Sequence, residues 1–231
     1  MKTWFYNRTA YCLLNEPVPQ CFIELDEHFD TRFATTGALM HLSVTLAENL
    51  CRRIADVELV AWYISDAYKS RNTFKAAIHI GSLIVWYFST CKSLMDAGAI
   101  TLATIYNLTL TQKEMDFSKA KFWNQLKQKH PTVHARYISF KDLLDEIVRW
   151  RDTAVHRLTP LVLTHSPGHP DTVPQEKREI KMVARPDITI STVATAPKSI
   201  QWAEPLHFHG QWKNSLIEFC KEVCSDIRNY T

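Results

Sequence analysis

The segment Arg149-Trp150-Arg151-Asp152-Thr153-Ala154-Val155-His156-Arg157 gathers three arginines, an aspartate and a histidine. On a helix, Asp152 and His156 stand one turn apart and share a face. Arg149 and His156 line up as well, two turns apart. Arg151 points about 140° away from His156, at about 100° per residue. Its side chain must curl back to reach that histidine, or meet the histidine of a second copy of the helix. Such groups suit phosphodiester cleavage without a metal. A histidine that titrates near neutrality can take the proton of a ribose 2′-hydroxyl. A guanidinium can stabilise charge building on the phosphorus oxygens through its fork of donors. Asp152 can fix the tautomer of the imidazole and favour its cation. The RNA would supply its own nucleophile, so DNA should resist. The same spacing also describes an Asp–His pair with flanking arginines on a solvated face, because structural ion pairs imitate such sites.

A second group lies near the C-terminus. His207 and His209 precede a predicted helix carrying Cys220 and Cys224 one turn apart. Two imidazoles and two thiols are a tetrahedral zinc ligand set. The spacing fits no common finger, and the histidines fall ahead of the predicted helix. Buried cysteines and exposed histidines are the competing reading, and the expectation is no metal and no cofactor. The six cysteines, Cys12, Cys21, Cys51, Cys91, Cys220 and Cys224, are scattered, mostly inside apolar helical patterns. That is the usage of reduced thiols in a cytoplasmic protein. Lys119, Lys121, Lys127 and Lys129 form a basic stretch, either a phosphate-contacting surface or a solvated face. Trp4, Trp62, Trp86, Trp123, Trp150, Trp202 and Trp212 read as core or dimer anchors. Trp150 adjoins the arginines and is a candidate to stack a base. His130, His134, His165 and His169 read as loop and surface residues, one of which could line a nucleic-acid groove.

The elements that must position these groups follow from glycine and proline. The five glycines stand alone, so neither GxGxxG nor GxxxxGK[ST] can be written. Any phosphate recognition must come from side chains. No proline occurs between Pro19 and Pro131, and seven of the ten lie from Pro160 onward. A proline-free, glycine-poor stretch is what long helices require. Leu39, Leu42, Leu46, Leu50, Ile54, Val57, Val60/Ala61 and Ile64 give a helical stripe over 38–68. A second, more apolar helix is predicted over 73–97, closed by Gly98. Residues 99–110 are ambiguous between helix and strand, and Cys21–Leu25 reads as a short strand. A third helix is predicted over 118–129, stopping before Pro131. The fourth has Ser139 as N-cap, Asp142 at N3 and Pro160 as its stop. Segments 179–184 and 188–193 alternate around Arg185-Pro186-Asp187 as a small hairpin. A last helix over 211–229 sets Trp212, Leu216, Phe219, Val223 and Ile227 on one face. The expected fold class is mainly α, a bundle of four to five helices with a small β-hairpin insertion before the C-terminal helix. The net charge of +3 is unevenly spread: −3 over residues 1–70, +6 over 71–165 and zero thereafter. The arginine–histidine segment lies in the basic block. The apolar run Ala76–Cys91 contains His79 and falls short of the ~20 residues a membrane span needs. No signal-like apolar region opens the chain, so the expectation is a cytoplasmic protein with no membrane partner.

Arg151-Asp152-Thr153-Ala154-Val155-His156 matches the R-φ-x-x-x-H signature of the HEPN superfamily, in which φ is commonly Asn, Asp or His. As in that family, it stands toward the C-terminal end of the last helix of a predicted four-helix array. The chain therefore resembles HEPN proteins over residues 38–160. Residues 1–37 read as an N-terminal extension, and 161–231 as a loop, hairpin and closing helix on the same domain. The resemblance implies an α-helical bundle that forms a homodimer and cleaves single-stranded RNA as a metal-independent endoribonuclease, leaving a 2′,3′-cyclic phosphate. It implies a toxin–antitoxin or phage-defence role, with an antitoxin or regulatory protein as partner. By position, Arg151 would stabilise the phosphate, His156 would be the general base or acid, and Asp152 would orient it. Two copies of the motif would share one composite cleft. Arg149, Arg157, Trp150, Lys121 and Lys127 are the accompanying RNA contacts. Some members are inactive and bind nucleotide, RNA or a protein partner, which is the alternative function.

Overall fold

In a computed structural model the chain is mainly α-helical; residues 17–32, 41–69, 73–156, 162–165, 179–183 and 201–230 are described. Seven α-helices occur among them: α1 Gln20–Arg32, α2 Leu42–Tyr68, α3 Thr73–Ile105, α4 Ala120–Lys129, α5 Pro131–Tyr137, α6 Lys141–His156 and α7 His207–Tyr230. Strands β1 Val162–His165, β2 Glu179–Val183 and β3 Trp202–Ala203 form an antiparallel sheet in the order β1-β2-β3, ahead of α7. Among the described residues, no helix is long and apolar enough to cross a membrane. Two compact units interleave along the chain. One comprises Met1–Glu58, Thr90–Glu146 and Trp212–Thr231, the other Leu59–Ser89 and Ile147–Gln211.

In the first unit, α1 is a helix where Cys21–Leu25 read as strand. Phe22, Leu25 and Phe29 recur at helical spacing and are all buried. Leu46, Leu50, Ile54 and Val57 of α2 bury as expected, whereas Leu42 in its first turn is exposed. Helix α3 does not stop at Gly98. A Cβ there would lie 2.4 Å from Cζ of Phe219 and 2.8 Å from its Cε1. The glycine therefore admits a ring of α7 and does not terminate its helix. The helix continues through the ambiguous stretch to Ile105. Its end is set by Asn107, whose φ of 47° is left-handed. The Asn107 N–H donates to the Thr104 carbonyl at 3.3 Å and the Leu108 N–H to Ala103 at 2.9 Å, a Schellman closure. Pro131 is the first residue of α5, a position where its missing N–H costs nothing. Ser139 is not the cap of α6. It lies in a 3-10 turn, Ile138–Phe140, and its hydroxyl donates to the Arg136 carbonyl at 2.6 Å. Trp212, Leu216, Phe219, Val223 and Ile227 are buried along one face of α7, as their spacing requires.

In the second unit, β2 matches the expected strand at 179–184. Ile180 and Met182 are buried, while Lys181 between them pairs with Glu179 and Glu204. Its partners are β1, in register Val162 with Met182, and β3, in register Met182 with Ala203. The expected turn and second strand at 185–193 lie outside the described residues. Tyr68 at the end of α2 donates to Glu204 at 2.9 Å, beside β3. Helix α7 begins at His207, so the His207-Phe208-His209 segment is its first turn and not a preceding loop.

Candidate functional site

Helix α6 is fixed in the second unit by Ile147, Trp150 and Ala154, which recur at three and four residues and are buried. Trp150 is 3% exposed. It stacks on Phe88 of α3, with centroids 5.1 Å apart at 22°, and meets Phe208 of α7 edge-on at 4.5 Å. Phe88 and Phe208 are themselves 5.4 Å apart. This ring trio anchors α6 one residue before the candidate catalytic arginine. Of the two expectations for Trp150 the core one fits, and its candidacy to stack a base is corrected: an indole enclosed by two rings is no platform for a base.

Arg151 leaves the helix about 40° from Ile147 and about 60° from Ala154, both to the same side of it. It stands at the edge of the buried face, its side chain 33% exposed, and not on the polar side with the exposed Arg149. Its Nη1 donates to Asp152 Oδ1 at 2.9 Å. The aspartate thus orients the arginine beside it. His156 is the last residue of α6, one turn beyond Asp152. The His156 side chain and all of Arg157 lie outside the described residues. Chemically, the Arg151–Asp152 pair is a positioned guanidinium whose carboxylate partner faces competition from any incoming phosphate.

Lys121 and Lys127 belong to the first unit and the motif to the second. Lys121 is exposed but pairs with Glu114 at 2.8 Å. That hydrogen bond, with the Thr111 N–H, holds the Glu114 carboxyl down at about 2. Lys127 is exposed. Lys129 donates to the Asn107 carbonyl and the Thr109 hydroxyl, both at 3.1 Å. His130 lies 3.0 Å from the Tyr106 carbonyl, and His134 stands edge-on to Trp123. These two histidines serve the first unit's packing. The His165 side chain and His169 lie outside the described residues.

His207 and His209 open the same helix that carries the buried Cys220 and Cys224, and about three turns separate His209 from Cys220. Among the described residues, no three His, Cys, Asp or Glu side chains are grouped to hold a metal ion.

One feature of the second unit escaped the sequence reading. Trp62 and Trp86, read as core or dimer anchors, are 43% and 46% exposed. Tyr63 lies between them, stacked on Trp86 at 6.2 Å and edge-on to Trp62 at 5.1 Å. The signal was phase. Val60, Ala61 and Ile64 carry the buried stripe, which leaves Trp62 and Tyr63 off it. Rings exposed together mark a surface for a partner or a base. No family model, curated protein or solved structure matches the chain.

Proposed function

We propose that the chain is a metal-independent endoribonuclease of the HEPN type, acting on single-stranded RNA in a toxin or phage-defence setting. The observation that carries this reading is Arg151, part-buried at the end of a ring-anchored helix and oriented by Asp152 at 2.9 Å. A merely solvating arginine has no need of such a position. In the proposed reaction His156 takes the proton of a ribose 2′-hydroxyl, and the 2′-oxygen attacks the adjacent phosphorus. Arg151 stabilises the added charge on the non-bridging oxygens. The 5′-oxygen leaves with the proton from the imidazolium, giving a 2′,3′-cyclic phosphate and a 5′-hydroxyl. Arg149 and Arg157 flank the scissile group as phosphate contacts. The test compares wild type, Arg151→Ala and His156→Ala on unstructured RNA with EDTA present. Wild type should cleave RNA and leave DNA intact, and each variant should lose about 10²-fold or more in rate. Equal cleavage by all three, or none by wild type, overturns the reading.

The exposed Trp62, Tyr63 and Trp86 rings favour a second reading, a non-catalytic HEPN-like module that binds nucleotide, RNA or a protein such as an antitoxin. It expects thermal stabilisation by nucleotide or RNA with no turnover.

A further inference from the structure

The first unit holds a pair of thiols unlike the other described cysteines. Cys21 is the second residue of α1, and Cys224 stands on the face of α7 next to it; the Cys224 thiol donates a hydrogen bond to the Cys21 sulfur. Both line one cavity of about 140 Å³, rimmed by Glu24, Glu222, Lys221 and Arg228. The rim charges are matched, Arg228 with Glu24 at 3.7 Å and Lys221 with Glu218 at 3.2 Å. The cavity therefore has no excess charge to select an ion, but it gives a small neutral molecule access to sulfur. Cys51, Cys91 and Cys220 are fully buried and do not line it.

We propose that Cys21 and Cys224 are a peroxide-oxidisable pair, with Cys21 the attacking thiol and Cys224 the resolving one. The hydrogen bond from Cys224 is the largest influence on Cys21 and holds its thiol below the ordinary value against burial, aided by backbone N–H groups at the helix start. Burial instead pushes the Cys220 and Cys224 thiols well up, which keeps them protonated. The oxidant is hydrogen peroxide, because a cavity of this size admits it and excludes a peptide disulfide. The Cys21 thiolate attacks one peroxide oxygen, the O–O bond breaks, and hydroxide leaves to be protonated to water; Cys21 becomes a sulfenic acid. The Cys224 sulfur then displaces the sulfenic oxygen as a second water. Two thiols are oxidised by two electrons and one peroxide is reduced. The sulfurs start in hydrogen-bond contact and must close to about 2.05 Å. The product ties α1 to α7.

The experiment treats the reduced full chain with stoichiometric peroxide, then counts thiols and maps the peptides. The expected result is the loss of two of the six thiols and of two hydrogens in mass, with one cross-linked peptide pair carrying Cys21 and Cys224. Cys224→Ser should leave Cys21 as a sulfenic acid that dimedone traps, and Cys21→Ser should leave Cys224 reduced. Circular dichroism checks that both variants fold, and the wild-type peptide map decides the question without them. Oxidation that spares Cys21, begins at Cys51, Cys91 or Cys220, or stops in wild type without the cross-link overturns the proposal.

Discussion

Asp226 is a carboxylate in the interior of the first unit, its side chain 1% exposed. The Tyr137 hydroxyl donates to it at 2.8 Å and Arg136 Nη2 at 2.6 Å, and Arg136 also reaches Glu222 at 3.2 Å and Tyr106 at 3.4 Å. Burial, and then the negative charge of Asp226, pushes the Tyr137 phenol far above its ordinary value and raises Tyr106 to about 12. Unfolded tyrosines ionise near pH ~10. Both groups therefore contribute stability that is whole below about pH 10. It is lost as pH rises toward about 12 for Tyr106 and beyond that for Tyr137. The expected outcome concerns Tyr137→Phe, measured by urea unfolding at several pH values. At pH ~8 the variant should be less stable by ~1–3 kcal/mol, because a buried carboxylate loses a donor. Above pH ~10 the gap should narrow, since only wild type has that phenol to ionise on unfolding. A gap constant up to pH ~11 would show that Tyr137 is not held neutral by Asp226. Nothing in the sequence joined these residues, which lie 89 positions apart. Arg151 and Asp152 are neighbours in the chain, so their pairing was within reach of spacing arguments. Its direction was not, because an arginine at the edge of a buried face reads in sequence like one in solvent.

Helices were legible where one face repeats without competition. The stripe Leu46–Ile64 and the stripe Trp212–Ile227 name their own buried sides, and both are buried. Helix ends were less legible, because one residue type serves two purposes. Gly98 had the chemistry of a C-cap, but its neighbour in space is Phe219, which no local pattern announces. Asn107 performs the termination instead, from a stretch that alternates poorly for either structure. Phe219 also meets Phe117 at 5.7 Å, Tyr137 at 6.1 Å and Phe140 at 5.7 Å, so its ring has little room to retreat. Gly98→Ala should therefore destabilise by ~1–3 kcal/mol through overpacking. Alanine's better helix propensity, ~1 kcal/mol, opposes this without reversing it. Adding Phe219→Leu makes room, so the double variant should be more stable than the sum of the single changes predicts. Urea midpoints of the four proteins decide it. A stabilised Gly98→Ala would mean that the helices separate easily at this point.

For the whole molecule, the motif itself was readable because its members lie on one short helix segment. At about 100° per residue, positions 151 and 156 of α6 lie about 140° apart around its axis. Under the proposed function a homodimer resolves this by letting the arginine of one copy serve the histidine of the other. A two-fold axis makes that exchange reciprocal. Light scattering at micromolar concentration should accordingly give a dimer, and mixing of variants tests the sharing directly. Arg151→Ala and His156→Ala, each inactive alone, are combined under conditions that exchange subunits. Random pairing makes about half of the dimers mixed. Each mixed dimer keeps one Arg151 and one His156, on different copies. If the site is shared, cleavage should reappear, up to roughly a quarter of the wild-type rate per chain, half of the dimers with one of two pairings intact. If both residues must come from a single helix, the mixture stays as inactive as its components. The second outcome, or a monomer that cleaves RNA at the full rate, would remove the shared cleft while leaving the roles of Arg151 and His156 standing.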